Sequence, residues 1–296
     1  MKILVTGSSG FLGKRITSIA SAKGHEVIGL DLNKSCNTLQ CNLSDKNETT
    51  EVLKDKYFNA VIHLAGIRGS YEEMTRVNIE GTTNLLNALN PPPECFVLAS
   101  SCAVYGIPQS PNGCIHEDDP TIPITDYGRT MLEKEKIAMQ LSAFKKVPFA
   151  SARIFNLFGA DQAPSMMTSA VAQKLVKIFL KEALPPLETG PLHTLRDLID
   201  VNDVAEVMVL MATQKATGIF NVGAGTPRSG TEVVRTFQSI LKMQISVKIS
   251  SEFNPMVQAI YADISKMKRE LNWTPSVPFR TTLESIVVYW LKQETT

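Results

Sequence analysis

Between the apolar run Lys2–Thr6 and a helical pattern through Phe11, Leu12, Ile16, Ile19 and Ala20 lies the turn Thr6-Gly7-Ser8-Ser9-Gly10-Phe11-Leu12-Gly13. A strand that runs straight into a helix has no hairpin partner next in line. It commits the chain to a crossover, and so to a parallel sheet. Glycines in such a turn permit a tight bend and close backbone approach, and leave the first helical amides aimed at a pyrophosphate. The spacing is G-x-x-G-x-x-G, offset from the G-x-G-x-x-G of the commonest dinucleotide turn. An ordinary glycine-rich turn would satisfy the spacing alone. The position of the turn after the first strand, with an acid at the end of the second, favours the cofactor reading.

The rhythm continues. Strand-like runs at 26–30, 60–65, 95–99 and 149–155 alternate with helical stretches at about 46–55, 71–89 and 126–145. Short apolar strands alternating with helices predict a doubly wound parallel sheet covered on both faces. After Gly159 the pattern changes. Helices near 165–182, 203–214, 229–242 and 281–291 are separated by turn-rich pieces, with strands at 198–201, 218–222, 247–249 and 259–261. The expected division is a nucleotide-binding domain over 1–160, joined by returning pieces at about 197–224 and 257–264. A smaller, discontinuous α/β substrate lobe then occupies 161–296.

Charge removes several function classes. Thirty basic against 29 acidic residues leave a net +1, which is not the balance of a chain that binds nucleic acid by neutralising phosphates. No stretch reaches 18 consecutive apolar residues, so no membrane span is expected. The run 3–5 is too short for the core of a secretory signal. Five cysteines (Cys36, Cys41, Cys95, Cys102 and Cys114) form an odd set with no C-x-x-C pair. They read as free thiols of a reducing cytoplasm rather than a disulfide framework or zinc site. His25, His116 and His193 lack metal-ligand spacing, and no metal is expected.

Asp31 closes the second strand, where a carboxylate accepts hydrogen bonds from an adenosine ribose and repels a 2′-phosphate. NAD is therefore expected in preference to NADP, a preference that the nearby Lys34 weakens.

An ordered set of further motifs runs along nearly the whole chain: Asn42-Leu43-Ser44-Asp45, His63-Leu64-Ala65-Gly66, Asn78-Ile79-Glu80-Gly81-Thr82 and Ser100-Ser101-Cys102-Ala103-Val104-Tyr105-Gly106. Tyr127-Gly128-Arg129-Thr130, the stretch 153–159 (RIFNLFG), the stretch 196–201 (RDLIDV) and Phe220-Asn221-Val222-Gly223 complete it. With the glycine turn, this set resembles the extended short-chain dehydrogenases/reductases that act as nucleotide-sugar epimerases, dehydratases and reductases. The resemblance implies a Rossmann-type sheet and NAD contacts from Gly7, Ser9, Gly10, Phe11, Leu12 and Gly13. Asp31, Asn42 and Leu43 would serve the adenosine side. Leu64, Ala65, Gly66, Asn78, Ser100 and Phe155 would line the remainder, with Tyr127 and position 131 beside the nicotinamide.

It also implies chemistry. Tyr127 would exchange a proton with a sugar oxygen while hydride moves at the same carbon, and Ser101 would hydrogen-bond that oxygen. Asn156 and Ala103 would touch the sugar of a nucleotide diphosphate, and Arg196 would pair with its phosphates, whose oxygens suit a planar guanidinium. On residue type alone, Ser101 could equally cap a turn, Asn156 brace a loop, and Arg196 pair with Asp197 or Asp200. A homodimer is implied through the helix at 71–89 and the one starting at Tyr127; their apolar positions Leu85, Leu86, Leu132, Ile137 and Leu141 permit that contact and equally fit packing on the sheet.

Two departures stand out. Asn42 replaces an acid, but its carbonyl still accepts from an adenine amine. Met131 replaces the lysine of Tyr-x-x-x-Lys. A lysine one turn after the tyrosine lies on the same helix face, whereas methionine brings neither charge nor donor. A phenol of ordinary pKa near 10 is ionised in only about one molecule in a thousand at neutral pH. Lys134, roughly 10 Å along the helix, reads as a poor substitute. The loss should harm oxidation-first chemistry more than carbonyl reduction, for which a neutral phenol is already the acid. Within the group, the stretches 153–159 and 196–201 and the C-terminal Tyr289-Trp290-Leu291 most resemble the 4-keto-6-deoxy-sugar nucleotide reductases, of the GDP-4-keto-6-deoxymannose kind. The alternatives are a nucleotide-sugar 4-epimerase and, from a different class, an NAD-binding regulator without turnover. Dehydration is disfavoured, because Cys102-Ala103 stands where a dehydratase carries an Asp-Glu pair.

Overall fold

The computed structural model describes residues 1–34, 37–250 and 256–295. The first part of the chain runs β1 (Lys2–Thr6), α1 (Phe11–Ala22), β2 (Glu26–Asp31), β3 (Thr38–Gln40), α2 (Lys46–Leu53) and β4 (Ala60–His63). A composite helix follows: α3 (Tyr71–Met74), a π-turn (Thr75–Glu80) and α4 (Gly81–Ala88). Next come β5 (Cys95–Ser101), β6 (Cys114–Ile115), α5 (Asp126–Phe144) and β7 (Phe149–Ile154). The remainder is β8 (Asn156–Phe158), α6 (Met167–Phe179), β9 (Leu187–Thr189), β10 (Leu195–Asp200), α7 (Val201–Thr213) and β11 (Gly218–Val222). Then β12 (Pro227–Ser229), α8 (Gly230–Ile240), β13 (Val247–Ile249), β14 (Ala259–Ala262), α9 (Ser265–Leu271) and α10 (Phe279–Glu294) close the chain.

Seven strands make a parallel sheet in the order β11-β7-β5-β4-β1-β2-β3. Both faces are apolar because the strands alternate between two cores. Ile3, Val5, Ala60, Ile62 and Val97 pack with residues of α1, α7 and α9. Leu4, Val61, Phe96 and Leu98 pack on the opposite side with residues of α2, α4 and α5. That is the strand period of two with helices on either face. From β1 the chain builds towards β2 and β3 on one side and towards β4, β5 and β7 on the other. The reversal lies at β1 and β4, where the carboxyl ends of a doubly wound sheet leave a crevice.

The smaller lobe has its own core, in which Val171, Leu175, Val234, Phe237, Leu283, Ile286 and Trp290 are buried together. Trp290 Nε1 donates to Ser169 Oγ at 3.2 Å, so the aromatic end of the chain is packing. β11 joins the main sheet beside β7. The segment expected to return at 257–264 does not: β14 pairs with β10 and β6 instead. β10 likewise pairs with β8, β12 and β14, outside the main sheet. Strands of two or three residues such as β6, β8 and β12 carry too little apolar periodicity to be read from sequence.

Candidate active site

The crevice is a cleft of about 750 Å³ that starts at the glycine turn and ends between β5, α5 and β8. At its first end the geometry forbids side chains. Gly7 has φ +67, and a Cβ there would sit 3.0 Å from the Ala65 amide nitrogen; one on Gly13 would run into the Gly7 carbonyl oxygen. No side chain caps α1, and its first turn carries no acid. The opening amides therefore face the cleft without a protein acceptor from a cap, which suits a diphosphate. The Ser9 N–H donates to Asp31 Oδ2 at 2.9 Å and the Asn33 N–H to Oδ1 at 3.1 Å. These bonds pin the carboxylate at the end of β2, beside the turn. Ser100 Oγ lines the cleft and is buried with no protein partner. Bare glycines, an uncapped helix, an oriented acid and an unpaired buried hydroxyl together fit a dinucleotide.

Of the residues expected to touch a cofactor, all but Asn78 line the cleft: Gly7, Ser9, Gly10, Phe11, Leu12, Gly13, Asp31, Asn42, Leu43, Leu64, Ala65, Gly66, Ser100, Tyr127, Met131 and Phe155. Asn78 is fully buried in the π-turn, where both ends of its amide are used by one residue. Its Oδ1 accepts the Ile67 N–H at 2.8 Å and its Nδ2 donates to the Ile67 carbonyl at 3.1 Å. It shapes the loop after β4 rather than reaching into the cleft.

At the other end, α5 presents Tyr127. Thr125 caps this helix by accepting the Gly128 N–H at 3.0 Å, and Asp126 complements the positive end of its dipole. Ser101, Ala103 and Asn156 line the same end of the cleft. Ser101 does cap a turn, since its Oγ accepts the Ala103 N–H at 3.2 Å. That bond occupies an acceptor site and leaves the hydroxyl hydrogen free to donate. Asn156 Nδ2 donates to the Asp197 carbonyl at 3.1 Å, which fixes the amide with its oxygen still available. Cys102 is no nucleophile: burial pushes its thiol up to about 12.

Arg196 departs from expectation. It is not among the cleft-lining residues, and it pairs with neither Asp197 nor Asp200. Its guanidinium donates to the carbonyls of Leu195 at 2.9 Å and Val257 at 2.8 Å. Asp197 accepts the amides of Ala224, Gly225 and Ala262 instead. Asp200 caps α7 at Asn202 and accepts from Thr282 Oγ1 at 2.7 Å. Arg153 is also structural, being buried on Glu135. Glu117 is half-buried and accepts the Asn221 N–H at 2.9 Å, and burial raises its pKa. His63 sits in the core between Thr6 Oγ1 and Thr82 Oγ1, and burial holds its pKa well below the usual value. Of the apolar helix positions that fit either a subunit contact or the sheet, Leu85, Leu86 and Leu132 are buried within the chain itself. Cys36 lies outside the described residues.

Two cations in the cleft were not read from the sequence. Arg68, on the exposed loop after β4, lies over the Tyr127 ring with its guanidinium carbon 4.4 Å from the centroid. Lys134 is 1% exposed, lines the cleft, and donates from Nζ to the Ala65 carbonyl at 2.8 Å. Counting helix rise places its Cα far from Tyr127, but helical side chains lean towards the N-terminus and cover the preceding turn. Met131 is buried in that turn, against Val104, Tyr105, Leu132 and Phe155.

The comparisons with known proteins agree with this arrangement. The chain is 29% identical to UDP-glucose 4-epimerase of Bacillus subtilis, over 92% of each sequence. It is 24% identical to dTDP-6-deoxy-L-talose 4-dehydrogenase (NAD(P)(+)) of Kitasatospora kifunensis, over 99% of this chain and 96% of that one. Its fold superposes on MoeE5, solved in complex with UDP-glucose and NAD, with a TM-score of 0.86 at 26% identity over the full length of both. The model of one family matches residues 3–223, from the glycine turn through Tyr127 to the last strand of the main sheet. With its cleft at the strand reversal and its tyrosine and serine at the far end, the chain belongs to the NAD-dependent epimerase/dehydratase family.

Proposed function

We propose that this protein is an NAD-dependent 4-epimerase of a nucleotide-diphosphate sugar, with UDP-hexoses as the first substrates to test. The observation that carries the reading is one continuous cleft. It joins a diphosphate-type turn to Tyr127, Ser101 and Asn156. Similarity to a UDP-glucose 4-epimerase over 92% of both lengths supports the same choice. A bound NAD would supply the acceptor and donor of hydride. Tyr127 takes a proton from the sugar hydroxyl and returns it after the ring has turned over, while Ser101 donates to the same oxygen. Asn156 orients the sugar. Dehydration lacks its acid pair at Cys102-Ala103.

The reductase reading rests on a separate observation: Met131 contributes no charge beside Tyr127. The two readings separate in one assay. Incubation with a UDP-hexose and NAD should yield the C4 epimer, with no net accumulation of NADH. Stoichiometric NADH consumption with a 4-keto sugar nucleotide, and no epimerisation, would favour the reductase instead. We also propose a homodimer; any contact must then use exposed side chains such as Met139 and Phe144, and sedimentation would measure it.

Asp31 sets the cofactor preference in this reading. Asp31→Asn keeps an acceptor for the Ser9 amide but removes the negative charge. The ratio of NAD to NADP affinity should fall by about tenfold or more, since tenfold corresponds to only about 1.4 kcal/mol. Parallel titration of wild type and variant with both nucleotides would measure it.

A further inference from the structure

Lys134 is a buried cation with one protein acceptor. An ammonium has three donors, and the Ala65 carbonyl takes one of them. Among the described residues no carboxylate pairs with it. Glu135, the adjacent acid, is tied to Arg153 and Ser151. The titratable group that feels its charge is His63 at the end of β4, and Tyr127 and Arg68 line the same cleft. None of these neutralises it, and the nearby Asn78 spends its amide on Ile67. A Cβ on Gly66 would stand 3.5 Å from Nζ, in ordinary contact, so Nζ lies directly against the Gly66 stretch of the cleft wall. A chain that needed lysine merely to fill this space would be more stable with an apolar side chain, because an unpaired buried charge costs free energy.

We propose that the Lys134 ammonium is a ligand-binding group. It donates to a ribose hydroxyl of the bound dinucleotide and supplies, from one turn further along α5, the positive charge that Met131 does not. This rests on the dinucleotide reading of the cleft given above. The ribose is preferred to the substrate sugar because Ala65, which anchors Nζ, abuts Gly7 of the glycine turn. That is the cofactor end of the wall. The sequence order is also consistent: Tyr127, Met131 and Lys134 occupy one face of the helix, all on the cleft.

Burial lowers the Lys134 pKa to about 7, which gives the proposal two distinct signatures. The unfolded lysine has an ordinary pKa near 10.4, so between about pH 7 and 10 the unfolded chain binds the extra proton. The stability cost of Lys134 is therefore complete below pH 7 and fades as pH rises towards 10. In the ligand-free protein, Lys134→Met should raise the melting temperature by several degrees at pH 6, and the gain should shrink by pH 10. The same variant should bind NADH about tenfold more weakly at pH 6, measured by nicotinamide fluorescence without any sugar nucleotide. Wild-type affinity should fall as pH rises through 7, whereas that of the variant should stay flat. Adding Met131→Lys to Lys134→Met should restore affinity. Unchanged NADH affinity in Lys134→Met at every pH would overturn the proposal, and so would a lower melting temperature, the mark of a structural lysine. Weakened binding only of the sugar nucleotide would overturn the assignment to the ribose. Failure of the wild type to bind NADH would instead remove the dinucleotide reading itself, and this inference with it.

Discussion

Tyr127→Phe should lower turnover by about 10²–10⁴-fold, the usual worth of a positioned acid–base group, while leaving NADH affinity within a few fold. The substitution removes one oxygen and keeps the ring, so the Arg68 guanidinium 4.4 Å above it retains its partner. The cap at Thr125 and the helix start are untouched. Steady-state kinetics on a UDP-hexose combined with NADH titration would separate the two effects. A variant that keeps more than a tenth of wild-type turnover would exclude Tyr127 as the proton carrier.

The largest expected loss of stability lies outside the cleft. Arg153 and Glu135 are 4% and 3% exposed and form an ion pair at 2.7 Å. Ser151 Oγ donates to the same carboxylate at 2.7 Å, and Arg153 Nη1 donates to Tyr105 Oη at 2.9 Å. Burial opposes the Arg153 charge, but Glu135 and Tyr105 outweigh it and hold its pKa above the usual value. Glu135→Ala would strand that charge in the interior, at a cost of about 3–5 kcal/mol. Against the 5–15 kcal/mol of a typical domain, that is enough to leave the protein unfolded near 37 °C. Glu135→Gln keeps a hydrogen-bond acceptor and should lose less, and a Glu135→Met/Arg153→Met pair should recover much of the difference. Urea unfolding of the three variants would rank them.

The parallel sheet could be read because its strands are short apolar runs closed by glycine or an acid, and because alternating residues feed two cores. The glycine turn, Asp31, Ser101 and Tyr127 were equally legible, each being fixed by a local motif that the cleft then assembles. Long-range partners were not. Arg196 stands in a motif that suggests phosphate, and the motif gives no sign that its guanidinium also donates to the carbonyls of Leu195 and Val257. Asn78 looks like a ligand contact and is spent on Ile67, because a π-turn carries it behind the loop. That Lys134 lines the cleft could not be read from Cα spacing along the helix. A lysine side chain reaches back along the helix, and its destination depends on where Ala65 ends up.

Asp197 has no exposed surface, and burial raises its pKa although three backbone amides pull against that rise. Those amides belong to the turn after β11 and to β14, while the carboxylate sits on β10. One side chain thus rivets the last strand of the large sheet to the frame of the small lobe, at the base of the wall that Asn156 lines. Parting the halves like a clamshell would tear three charge-assisted bonds at once. That anchor opposes widening of the cleft on the side that Asn156 lines.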